Sequence, residues 1–77
     1  MKRVELRVHQ RTSNVPFRSG TYSAVLEDED ARKYAILATT KQYDTWAEAA
    51  HAGLKIADRR GYFVVNRVLV ERKIEKS

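Results

Sequence analysis

Arg3, Arg7 and Arg11 recur at every fourth position near the start of the chain, with His9 between the last two. In an extended segment such positions share one face, so these side chains stand in a row suited to contacts with phosphate oxygens. The opposite charge collects at Glu27-Asp28-Glu29-Asp30. Those carboxylates would have to supply any calcium site, but they lack the ligand spacing of an EF-hand loop. His9 and His51 each fall on a polar face, away from other ligands or bases. There is no cysteine, the serines carry no nucleophile motif, and Gly20, Gly53 and Gly61 are too scattered to cradle a phosphate. The expectation is a protein that is not an enzyme and that uses no cofactor or metal.

Seventy-seven residues make a single domain, 1–77. A chain of this size buries only about 60% of the surface that it exposes when unfolded. Without cysteine there is neither a disulfide nor a thiolate zinc site, a composition that suits a reducing compartment. Charge returns at Lys2, Arg3 and Glu5 before any apolar run develops, and no stretch approaches the roughly 20 residues that cross a bilayer. The expected location is the cytoplasm, with no membrane partner. Net charge is +5. Setting Glu27–Asp30 aside leaves a surplus of nine cations, hence one acidic tip on a basic remainder able to orient toward a polyanion.

The elements that must hold these charges follow from periodicity. Residues 2–11 alternate, with Val4, Leu6 and Val8 on one side and the charged row on the other, which marks a half-buried strand. Residues 12–20 collect turn formers around Phe17 and Arg18 and read as a loop. Strands are expected over 21–27 and 33–40, joined by a short acidic hairpin. Thr45 and Glu48 form a capping box at the start of a helix whose apolar stripe is Trp46, Ala49, Ala50, Gly53, Leu54 and Ala57. Arg59 and Arg60 suit the last turn, and Gly61 suits a left-handed cap. Gly53 costs a helix interior about 1 kcal/mol against alanine, so close approach to a large side chain, Tyr22 or Tyr34, is expected there. Residues 62–72 are rich in β-formers and read as one strand with a bulge at Asn66-Arg67, with a frayed tail from Lys73. The fold class is therefore α+β, a two-layer sandwich of one four-stranded sheet (β-β-β-α-β) with a single helix packed on one face. The final strand would lie beside the first or beside the third, with the first preferred.

The run from Gly20 through the acidic turn, Arg32-Lys33 and Thr45-x-x-Glu48-Ala49 resembles the arm-binding domain of phage and transposon integrases. In that family a three-stranded sheet backed by a helix enters the major groove of DNA. The likeness spans residues 20–60, and this chain departs from it by adding a strand after the helix. The same Thr-x-x-Glu-Ala start is similar to that of HicB-type antitoxins. Neither likeness assigns the chain to a family.

One helix covers one sheet face, so the other is expected to be open and basic. The leading expectation is a small binding module whose Arg3, Arg7, Arg11, Arg18, Lys33 and Arg67 contact the phosphates of DNA or RNA. The alternative is a protein-interaction module anchored by Val25, Leu37 and Phe17. Its partner would be a second copy, or a host protein complex that a phage or mobile-element product inhibits.

Overall fold

The computed structural model describes residues 1–11, 20–30 and 35–76. In chain order its elements are β1 (Arg3–Arg11), β2 (Thr21–Asp28), β3 (Ile36–Thr39), α1 (Trp46–Arg60), β4 (Phe63–Val64) and α2 (Arg67–Lys76). They build an α+β fold on a four-stranded sheet of order β3-β2-β1-β4. β1 and β2 pair antiparallel from Val4 opposite Asp28 to Arg11 opposite Thr21. β3 is antiparallel to β2, and β4 runs parallel to β1 in the expected place beside it. No helix among the described residues is long and apolar enough to cross a membrane.

The alternation of β1 buries Val4 and Leu6 against α1, together with Ala24 and Leu26 from β2. The small stripe of α1 answers with Ala50, Leu54 and Ala57, and Gly53 sits over the sheet. A Cβ on Gly53 would lie 2.8 Å from Leu6 Cδ1 and 2.9 Å from the Ala24 Cβ, so the helix axis comes this close only because that hydrogen is all there is. The nearest described side chains beneath Gly53 are thus Leu6 and Ala24, and not Tyr22. Tyr22 instead exchanges backbone hydrogen bonds with Tyr43 at 2.8 and 2.7 Å, and Tyr34 lies outside the described residues.

Both ends of α1 form as the local sequence requires. The Thr45 hydroxyl accepts the Glu48 N–H at 3.1 Å and donates to the Glu48 carboxylate at 3.2 Å, a variation on the reciprocal box. Gly61 adopts φ 69°, and the bonds from Gly61 N–H to the Asp58 carbonyl and from Tyr62 N–H to the Ala57 carbonyl close a Schellman cap.

The strand expected over 62–72 is corrected. Only Phe63 and Val64 are extended, and the chain then turns into a second helix that also takes in Lys73 to Lys76. The reason begins at Asn66. The parallel ladder runs from Phe63 N–H to the Lys2 carbonyl and from Val65 N–H to the Val4 carbonyl. At its next rung the Asn66 carboxamide substitutes for backbone: Leu6 N–H donates to Asn66 Oδ1 at 3.0 Å, and Asn66 Nδ2 donates to the Leu6 carbonyl at 2.8 Å. With that rung filled by a side chain, the backbone is released. Its carbonyl accepts the first helical bond, from Val70 N–H at 3.1 Å. α2 then lies alongside α1. Val70 joins the core, Ile74 packs at its margin, and Lys73 Nζ stands 4.5 Å from the centre of the Trp46 ring.

The Arg67 guanidinium ties the two helices together. It donates to both Asp58 oxygens, at 2.8 and 3.1 Å, and to Glu71 one turn on at 2.9 Å. These bonds hold the Asp58 carboxyl below the ordinary carboxylate range, as the Lys2 ammonium and the Asp30 N–H do for Asp28. A folded-state pKa below the unfolded value of about 3.9 contributes stability above that value, and the contribution is lost as pH falls through the folded pKa. Urea midpoints should therefore decline as the pH is lowered from about 5 to about 3. The decline should be shallower in the double variant Asp28→Asn, Asp58→Asn. An identical slope in both proteins would mean that these contacts are not formed in solution.

Candidate functional site

The face of the sheet away from α1 carries the arginine row, but the register sets acids against Arg3 and Arg7. Arg3 Nε lies 2.7 Å from a Glu29 carboxylate oxygen, and its guanidinium stands 5.4 Å from the Phe63 ring centre. Arg7 Nε sits 3.3 Å from Glu5 and 3.3 Å from Glu27. Lys2 pairs with Asp28 at 2.9 Å. Three of the acids expected at a water-surrounded hairpin tip, Glu27, Asp28 and Glu29, thus fold back onto the N-terminal cations, and Glu27 is itself 9% exposed. Arg11 is exposed and has no ion pair among the described residues.

The other expected site residues are dispersed. Arg67 belongs to α2 and is held by Asp58 and Glu71 in the helical layer, so it is no neighbour of the arginine row. This correction follows directly from the helix that replaced the expected strand. Val25 does lie opposite Arg7 on the helix-free side, yet it is 6% exposed and presents no anchor to a partner. Leu37, expected on that side, packs against the core cluster at the β2–β3 irregularity beside Leu26 and Glu27. Arg18, Lys33 and Phe17 lie outside the described residues.

Unpaired positive charge gathers elsewhere. A groove of about 300 Å³ runs between α1 and the segment that leaves β3, lined by Thr39, Thr40, Lys41 and Tyr43 on one wall and by Ala52, Lys55, Ile56 and Arg59 on the other. Lys41, Lys55 and Arg59 are exposed there, none has an ion pair among the described residues, and no carboxylate lines the groove. Lys41 Nζ stands 5.4 Å from the Tyr43 ring centre, an arrangement that leaves its charge intact. Arg60, at the same end of α1, donates to the Leu37 carbonyl at 3.1 Å and so keeps its charge too.

Elementary rules put the cations here. Lys55 and Arg59 are one turn apart on the polar side of α1, and Arg59 lies in the last turn, where the helix dipole favours positive charge. Lys41 is brought across from β3 because Tyr43 is bridged to Tyr22, which pins the connection beside the helix. From the sequence, Arg59 is expected only as a cation of the last turn that complements the helix dipole. The one available signal was the one-turn spacing of Lys55 and Arg59. No group of His, Asp and Glu side chains able to hold a metal ion occurs among the described residues.

No family model, curated protein or solved structure matches the chain.

Proposed function

We propose that this protein is a small binding module that holds nucleic acid by its phosphate backbone, through the groove formed by Lys41, Lys55 and Arg59. One observation carries the reading: these three cations share a concave surface without any carboxylate, whereas Arg3, Arg7 and Arg67 already have acidic partners. Phosphate contact releases condensed counterions only where the protein charge is not already neutralised. Nothing in the lining offers a distinctive pattern for reading bases, so the interaction is with backbone charge and shape rather than with sequence.

Three phosphate contacts imply a slope of about −2.7 in log K against log salt on duplex DNA, or a ~40-fold loss of affinity between about 50 and 200 mM salt. Fluorescence anisotropy with labelled duplex and single strands measures this directly. The double reversal Lys55→Glu, Arg59→Glu should weaken binding at least tenfold and flatten the slope to about −1. Reversing Arg3 and Arg7 should leave the slope near its original value. If the sheet-face variant lost binding and the groove variant kept it, the contact surface would be the arginine row after all. Absence of binding at low salt would end the proposal.

A further inference from the structure

We propose that the free edge of β1, from Val8 to Gln10, receives an extended acidic protein segment as an additional strand. Alternation in the β1–β2 ladder decides which groups are available. Glu29 N–H donates to the Arg3 carbonyl, so the odd-numbered residues of β1 spend their peptide groups on β2. The even-numbered ones point the other way. Val4 and Leu6 meet Val65 N–H and the Asn66 carboxamide, as described above. β4 ends at Val64 and α2 turns onto α1, so among the described residues nothing bonds the N–H or C=O of Val8 and Gln10.

An exposed peptide edge is a template for another strand. Its two flanks state what that strand must carry. Toward the helices, Val8 is half-buried, and Val8, Trp46 and Ile74 all pack at the margin of the core. Side chains of an added strand pointing this way would be apolar. Toward the helix-free side stand Arg7, His9 and Arg11, of which His9 and Arg11 have no acidic partner among the described residues. Side chains pointing that way would be carboxylates, opposite-charge neighbours across the pair. The occupant is thus an extended segment in which acidic and apolar residues alternate.

The same row argues against a second copy of this chain. The register that opposes Val8 to Gln10 in two such edges sets Arg7 against Arg11, and like charges directly opposite are unfavourable. Nucleic acid is also a poor occupant, because phosphate offers acceptors only, while this edge alternates donors with carbonyls that would repel it. The edge and the basic groove are separate surfaces, so this proposal does not depend on the function proposed above.

The test is titration of the ¹⁵N-labelled full chain with a short synthetic peptide alternating glutamate and valine, followed by amide hydrogen exchange. The Val8 and Gln10 amides should gain at least tenfold protection, while those of Arg7 and His9, already bonded to β2, change little. A lysine–valine peptide should give no protection. Arg11→Glu should weaken the glutamate peptide at least tenfold and admit the lysine peptide. Gln10→Pro, which removes one edge donor at a position where proline is tolerated in strands, should abolish binding. The proposal is overturned if the two amides are protected without peptide, at any protein concentration, or if peptide charge has no effect. Unchanged binding by Gln10→Pro would equally place the peptide elsewhere.

Discussion

Replacing Asn66 with alanine is expected to cost about 2–4 kcal/mol of folding stability, a large part of what a domain of this size possesses. The loss does not come from packing. Asn66 is half-buried and contributes little apolar surface, but its carboxamide satisfies both peptide groups of Leu6, a residue only 2% exposed. Leaving a buried donor or acceptor unpaired costs roughly 1–3 kcal/mol each. Asn66→Asp separates the two bonds: it retains an acceptor for Leu6 N–H but points a carboxylate oxygen at the Leu6 carbonyl. It should therefore destabilise about as much as alanine. Urea unfolding gives the free energies, and exchange of the Leu6 amide reports the contact itself. A loss below about 0.5 kcal/mol with the Leu6 amide still protected would show that the side-chain rung is not made.

Gly53→Val is expected to lower stability by about 3 kcal/mol and the melting temperature by roughly 12–24 °C. In an exposed helix interior, replacing glycine would be favourable by up to about 1 kcal/mol. Here the new Cβ would meet two side chains below 3 Å. The Leu6 methyl can rotate away, but the Ala24 Cβ is fixed to β2 and moves only with the strand. Two further methyl groups on valine leave α1 no choice but to rise from the sheet, which would open the contacts of Ala50 and Ala57 as well. Gly53→Ala should cost less, because one methyl demands a smaller shift and recovers helix propensity. Equal stability of all three proteins would mean that α1 does not approach the sheet this closely.

How far the chain could be read in advance depends on the distance over which each feature is decided. The alternation of Val4, Leu6 and Val8 specifies one face of β1 within a few residues. The Thr45–Glu48 cap and the Gly61 cap bound α1 in the same local way, so those elements were legible. Val68-Leu69-Val70 has the composition of a strand, and nothing nearby contradicts it. What makes it helical lies far off: the Leu6 peptide that captures Asn66, and Asp58 and Trp46, which receive Arg67 and Lys73. Propensity is a weak preference, and contacts distant in sequence overrode it.

Charge followed the same division. Composition and spacing alone determined that the protein is basic, that arginines line one side of β1, and that a capped helix crosses a small sheet. Which of those cations remain available was decided only by the tertiary structure, since the pairing of Arg3 with Glu29 and of Arg7 with Glu27 exists only once β1 and β2 are in register. The physical reason is the range of the interactions. Hydrophobic periodicity and capping act within one or two turns of chain, whereas ion pairs act between atoms a few ångströms apart that folding alone brings together.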